Sequence, residues 1–185
     1  TFFLKHEIDT GEVIQQEKVA IGDDDNAEDV HDKLMTLGAE LVAQTVQNII
    51  DNKVVPIPQE KMHTDEPLRP APKIFKEDGL INWARKGRDV INLIRGLSPY
   101  PAAWTAIYKE GNEAGSAKIF SARFEAGDKP GSVGDVVTDE KTYLGVRVAD
   151  GVVYVDELQL AGKKRMMIKD LLLGWRDASK SRFLK

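Results

Sequence analysis

Tyr143-Leu144-Gly145-Val146-Arg147-Val148, the turn Ala149-Asp150-Gly151, and Val152-Val153-Tyr154-Val155-Asp156-Glu157-Leu158-Gln159-Leu160 form the stretch that decides the fold of this 185-residue chain. Valine, tyrosine and leucine dominate both runs and turn formers separate them, so the stretch reads as two strands. Three further runs of this kind precede it, at residues 104–108, 117–126 and 133–138. Between the runs stand Glu110-Gly111-Asn112, Gly127-Asp128-Lys129-Pro130-Gly131 and Asp139-Glu140-Lys141. Five short strands at this spacing predict a small closed or partly closed barrel. Residues 168–174 are expected to form a short closing helix that ends at Gly174. On the N-terminal side, Trp83, Val90, Ile91, Ile94 and Leu97 make a helical face over residues 82–96, which Ser98-Pro99-Tyr100-Pro101 stops.

Upstream the texture changes. Residues 53–72 hold Pro56, Pro58, Pro67, Pro70 and Pro72, five of the eight prolines of the chain, which marks a stiff, extended linker. Before it, Val30, Leu34, Leu37, Leu41, Val42, Val46, Ile49 and Ile50 recur at helical spacing, one apolar stripe over residues 26–52. Asp23-Asp24-Asp25 is placed to cap that helix and to complement the positive end of its dipole. Residues 1–4 and residues 12–21, with Val13, Ile14, Val19 and Ile21, read as two strands. So long a stripe needs more than two strands to cover it, so a larger sheet is expected around this segment. The opening on Thr1-Phe2-Phe3-Leu4, without a Met, points the same way, to truncation or processing. The expected organisation is an α/β piece at 1–52, a linker at 53–72 and an all-β barrel domain with short helices at 73–185.

Composition narrows the chemistry. The chain has no cysteine, which excludes disulfides, thiolate metal sites and a cysteine nucleophile, and fits a reducing cytoplasm. No apolar run approaches the roughly 20 residues of a membrane span. Residues 1–5 lack the basic and apolar regions of a signal peptide. The net charge of −4 is unevenly spread: residues 1–52 carry 3 Lys/Arg against 12 Asp/Glu, and residues 73–185 carry 20 against 15. A basic second half fits a polyanionic partner such as RNA, and it also fits a merely solvated surface.

His6-Glu7-Ile8-Asp9-Thr10-Gly11 lies between the two expected strands. An acid at a strand end occupies the place where α/β sheets set their sites. Gly11 permits a tight turn and Thr10 a hydrogen bond within the loop, so Asp9 is the catalytic candidate, although Asp-Thr-Gly is also a common turn sequence. The P-loop, GxGxxG, nucleophile-elbow and metal-ligand histidine patterns are absent from the sequence. His31 falls on the polar side of the helix and His63 in the linker. Trp83, Trp104 and Trp175 read as core or closure residues rather than stacking platforms. Gly162-Lys163-Lys164-Arg165, the densest basic cluster, is either a phosphate contact or a solvated turn.

Several pieces are recognisable in order. The loop runs on through His6-Glu7-Ile8-Asp9-Thr10-Gly11-Glu12-Val13-Ile14. Ala71-Pro72-Lys73-Ile74, Ile81-Asn82-Trp83 and Ile94-Arg95-Gly96-Leu97-Ser98-Pro99-Tyr100-Pro101-Ala102-Ala103 follow. Pro130-Gly131-Ser132-Val133, Ala149-Asp150-Gly151 and Leu158-Gln159-Leu160-Ala161-Gly162-Lys163-Lys164 complete the set. With these pieces the chain resembles the methionyl-tRNA formyltransferase family nearly end to end. The resemblance implies the end of a Rossmann-like formyltransferase domain followed by an OB-like barrel. It implies transfer of a formyl group from 10-formyltetrahydrofolate to the amino group of methionine on initiator tRNA, in translation initiation. Family catalysis uses an Asn, a His and an Asp, and only the Asp has a counterpart here, Asp9; His6 is not the family's histidine. The resemblance places the folate against Lys5, His6, Glu7, Ile8 and Asp9. For the tRNA that the resemblance implies, the expected phosphate contacts are Lys73, Lys76, Arg95, Lys118, Arg123, Lys163, Lys164 and Arg165, with Arg95 also placed to cap helix carbonyls. No metal is expected, the protein is expected to be a cytoplasmic monomer, and the isolated chain is expected to be inactive and to bind folate weakly. Two alternatives stay open: a paralogue that formylates an amino sugar nucleotide, and a non-catalytic RNA-binding module.

Overall fold

The computed structural model describes residues 1–62, 70–127 and 130–184; His63 in the linker and Asp128-Lys129 in the second turn lie outside the described residues. The chain divides into two compact units, one of Thr1–Asp25 with Asp29–Lys73 and one of Asn26–Glu28 with Ile74–Lys185.

The larger unit grows from a hairpin. β1 (Ala103–Lys109) and β2 (Asn112–Ala126) are joined at Glu110 and Gly111, whose φ angles of 53° and 84° define a tight two-residue connection. Two positive φ angles in sequence match the right-handed twist of paired strands. β3 (Val136–Thr138), β4 (Leu144–Val148) and β5 (Gly151–Leu160) continue the sheet, followed by β6 (Met166–Met167), α3 (Ile168–Leu172) and β7 (Ser181–Leu184). The strand order is β3-β4-β5-β2-β1-β7, with β6 paired to β5. The two edges approach each other where Asp135 bridges Arg182 and Phe183 N donates to the Gly134 carbonyl at 2.8 Å. Gly134 sits at φ 85°, and a Cβ there would lie 2.3 Å from the Phe183 carbonyl oxygen, so this seam requires glycine. The result is a nearly closed, mostly β barrel.

α2 (Gly87–Leu97) lays Val90, Ile94 and Leu97 onto the barrel. Inside lie Ile81, Trp83, Ile119, Leu144, Val146, Val153, Val155, Leu158 and Phe183, all at most 2% exposed. The helix starts later than its apolar pattern predicts because Asn82 Oδ1 accepts from Ala84 N at 3.1 Å, a local turn that competes with helix and leaves Trp83 ahead of it. β2 begins earlier than expected: Asn112–Ser116 has little strand propensity of its own, but its register opposite β1 carries it. β6 and β7 are additional to the five expected strands.

In the smaller unit α1 (Ala27–Ile50) forms as the apolar spacing predicts. Its cap differs. Asn26 Oδ1, rather than the aspartate run, accepts from Glu28 N at 2.7 Å, while Asp25 turns back to Gly22 N. The stripe stays largely open, with Leu34, Val42, Val46, Ile49 and Ile50 between 42% and 66% exposed. The two strands expected before α1 do not form. Residues 1–25 make single bridges instead, Phe2 to Val13 and Val13 to Ile57, and Phe2, Phe3 and Leu4 are exposed. A ladder needs pairing over several residues and an apolar cover; here the pairing stops at single bridges, and Phe2, Phe3 and Leu4 are left uncovered among the described residues.

Candidate functional site

Asp9 stands at the apex of an exposed loop. Its φ is 61°, in the left-handed region that Asp tolerates better than most residues. Thr10 Oγ1 donates to the Glu7 carbonyl at 3.0 Å and closes the loop from within. Gln59, fifty residues on, clamps it from outside: its Nε2 donates to the Asp9 and Gly11 carbonyls, each at 2.7 Å. Gly11 is buried, and a Cβ there would lie 1.5 Å from the Phe3 carbonyl oxygen. Phe3 N in turn donates to the Glu12 carbonyl at 3.0 Å. The backbone of the loop is therefore tied on both sides, while Lys5, His6, Glu7, Ile8 and Asp9 all face solvent. The Asp9 carboxylate makes no hydrogen bond among the described residues. Gln59 is the member of this site that the sequence did not point to; it lies in the proline-rich segment with no local pattern to mark it.

In the barrel unit a groove of about 650 Å³ is lined by Ile74, Phe75, Lys76, Tyr100, Trp104, Lys118 and the turn Leu160-Ala161-Gly162, among others. Trp104 is half-buried, its Nε1 donates to the Lys76 carbonyl at 2.8 Å, and the Lys76 ammonium sits 5.3 Å from its ring centre. Lys118 Nζ donates to the Pro101 carbonyl at 3.1 Å. Gln159 Nε2 donates to the Lys163 carbonyl at 2.8 Å and fixes the far turn. Of the three tryptophans expected to be core or closure residues, Trp104 is the one that lines the groove. On β1, Ala103 and Thr105 point inward, and the core position is taken by Trp83, which is 2% exposed. Trp175 does stack on Phe183, at 6.4 Å between ring centres.

The remaining basic candidates are spread. Lys163 and Lys164 follow the groove turn and are exposed, as is Lys73. Arg95 Nε donates to Asn92 Oδ1 at 3.0 Å, on its own helix. Arg123 pairs with Asp156 and lies 5.1 Å from the Tyr154 ring centre; burial pushes the Asp156 carboxyl upward against the opposing pull of Arg123. Arg165 bonds Glu157 at 2.5 Å and covers the Phe120 ring at 4.2 Å, and the Glu157 bond raises its pKa further. Of the eight, the structure brings Lys76 and Lys118 together on one groove with Lys163 and Lys164 next to it in the chain. Arg123 and Arg165 are committed to partners. Among the described residues no cluster of His, Cys, Asp or Glu is set to hold a metal ion.

Comparison with known proteins agrees with this architecture. Residues 73–176 match the sequence family described as "Formyl transferase, C-terminal domain", and the chain belongs to that family. Over 183 residues it is 50% identical to the methionyl-tRNA formyltransferase of Phocaeicola vulgatus, covering 98% of this chain and 56% of that protein. With the methionyl-tRNA formyltransferase of Bacteroides thetaiotaomicron it shares 54% identity over 178 residues, covering 95% and 55%. The chain spans about half the length of the curated relatives it matches. Among solved structures, HypX from Aquifex aeolicus in complex with tetrahydrofolic acid superposes with a TM-score of 0.63 at 18% identity, covering 94% of this chain and 29% of that one. WlaRD, a sugar 3N-formyl transferase, superposes at 0.53 and 18% identity, covering 88% and 54%. At these identities the two structures speak for the fold alone.

Proposed function

We propose that this chain is part of an enzyme that transfers a formyl group from 10-formyltetrahydrofolate to the amino group of methionine on initiator tRNA, in the cytoplasm and as a monomer. The observation that carries the reading is the identity of 50% and 54% with two methionyl-tRNA formyltransferases, over 98% and 95% of the chain. Residues 1–52 are then the end of a Rossmann-like catalytic domain, 53–72 the linker, and 73–185 an OB-like tRNA-binding domain. Asp9 is the catalytic acid–base group and Lys5 to Asp9 border the folate. Formyl transfer requires the attacking amine to lose a proton and the folate nitrogen to gain one, with negative charge developing on the formyl oxygen. An exposed carboxylate on a backbone-clamped loop fits the proton-handling part of that chemistry. Stabilising the oxygen needs hydrogen-bond donors, which the family supplies from its Asn and His and this chain does not match. The reaction as written draws on no metal.

The tRNA is held through phosphates, with Lys73, Lys76, Lys118, Lys163 and Lys164 as the cations best placed; Arg95, Arg123 and Arg165 contribute after exchanging their present partners. Binding of methionylated initiator tRNA to the full chain, titrated with salt, tests this. Lys163→Glu combined with Lys164→Glu is expected to weaken binding and to reduce the slope of log K against log salt by about 2, one for each phosphate that is no longer neutralised. No binding at low salt, or an unchanged slope in the double variant, contradicts the reading.

A further inference from the structure

The groove beside Trp104 has features that phosphate binding alone does not explain. Tyr100 holds its ring 84% exposed at one wall, and Ile74 and Phe75 are 56% and 57% exposed beside it. Large apolar surface left open next to cations marks a place where something flat and anionic fits. Among the described residues lining the groove none is Asp or Glu, although the chain as a whole is acidic. Lys118 uses one of its three N–H donors on the Pro101 carbonyl, which leaves two for a ligand. The groove volume of about 650 Å³ lies in the range typical of small-molecule sites.

We propose that this groove holds one unpaired nucleotide of an RNA strand, its base against Tyr100 and Trp104 and its phosphate between Lys76 and Lys118. The proposal rests on the reading that the protein works on tRNA, and adds to it a subsite for a base rather than a further phosphate site. The occupant is single-stranded because stacking on an aromatic side chain needs a bare base face, which a duplex keeps covered. It belongs to a strand rather than being a free nucleotide because the cations continue: Lys163 and Lys164 follow Gly162 of the groove wall and are exposed, ready for neighbouring phosphates. Its position is set by the fold. The Gln159 bond to the Lys163 carbonyl holds one wall, and the Trp104 bond to the Lys76 carbonyl holds the other.

The test uses the full chain and fluorescence anisotropy with four labelled probes: a short unstructured RNA, the same strand with one abasic nucleotide, its blunt duplex, and methionylated initiator tRNA. The single strand is expected to bind more tightly than the duplex. Tyr100→Ala, whose fold is checked by circular dichroism, weakens single-strand binding about 5- to 100-fold, whereas Tyr100→Phe stays within about twofold. The abasic strand loses a similar factor against the wild-type chain and little more against Tyr100→Ala. Equal binding of single strand and duplex, or an unchanged affinity in Tyr100→Ala, overturns the groove. So does indifference to the abasic position, the result expected if the groove serves an acidic peptide. Salt-dependent tRNA binding that Tyr100→Ala leaves intact removes the groove and leaves the formyltransferase reading standing. Single-strand binding that behaves as expected, without binding of methionylated tRNA, removes that reading and keeps the groove. A chain that binds none of the probes removes both.

Discussion

Thr105→Val tests whether the barrel closes as described. Thr105 is fully buried on β1, and its hydroxyl joins three parts of the chain. Trp83 Nε1 donates to Thr105 Oγ1 at 2.9 Å, and Oγ1 donates to the Leu184 carbonyl on β7 at 2.9 Å. Valine has nearly the same shape and fills the same space, so no cavity confuses the result. It leaves the indole N–H buried without an acceptor, at about 1–3 kcal/mol, and forfeits the bond to Leu184, at about 0.5–1.5 kcal/mol net. The loss should be roughly 2–4 kcal/mol, which for a domain of this size lowers Tm by roughly 8–16 °C. Thr105→Ser keeps the hydroxyl and removes one methyl group, so it should cost only about 1 kcal/mol. All three tryptophans, Trp83, Trp104 and Trp175, lie in the barrel unit, so tryptophan fluorescence during urea or thermal unfolding reports that unit alone. A Thr105→Val chain as stable as wild type, or a Thr105→Ser chain less stable than Thr105→Val, refutes the hydrogen-bonded link between Trp83, β1 and β7.

Two further outcomes follow from local geometry. Gly11→Ala forces a Cβ to within 1.5 Å of the Phe3 carbonyl oxygen, so the loop must move and the Phe3–Glu12 bond must open. Hydrogen exchange at the Phe3 amide should accelerate, and exchange unchanged from wild type counts against the clamped loop. Asp139 accepts from the amides of Lys141, Thr142 and Tyr143 and from the Thr142 hydroxyl, and that hydroxyl does most to hold its carboxyl well below the usual carboxylate range. Because the folded value is the lower one, the stability Asp139 contributes is complete above the ordinary carboxylate range and is lost as the pH falls from there toward the depressed value. A carboxyl-carbon NMR titration with its midpoint inside the ordinary range would show that the turn is not held this way.

What the residues alone determined is whatever depends on near neighbours. The apolar spacing from Val30 to Ile50 marks α1 because a helix repeats within seven residues, and the valine-rich runs around Ala149-Asp150-Gly151 mark β4 and β5 because strand propensity and turn chemistry are local. The loop holding Asp9 is legible for the same reason. The tertiary structure decided everything that depends on distant partners. Ser181–Leu184 has no period to betray it and becomes β7 because Phe183 fills the core and its backbone meets Gly134, 49 positions earlier. Gln59 reaches the Asp9 loop only through the folded chain. Trp104 leaves the core for the groove because the register of β1 turns Ala103 and Thr105 inward, a choice no alternation within the strand could make alone. Likewise Lys76 and Lys118 look equivalent to Arg123 and Arg165 along the chain. Folding separates them: the pairing of β2 with β5 gives Arg123 Asp156 as a partner, Arg165 meets Glu157, and Lys76, on a 3-10 turn ahead of α2, comes with Lys118 to the groove beside Tyr100. Register and packing are long-range decisions, and they fix which of these charges take an acidic partner and which line the groove.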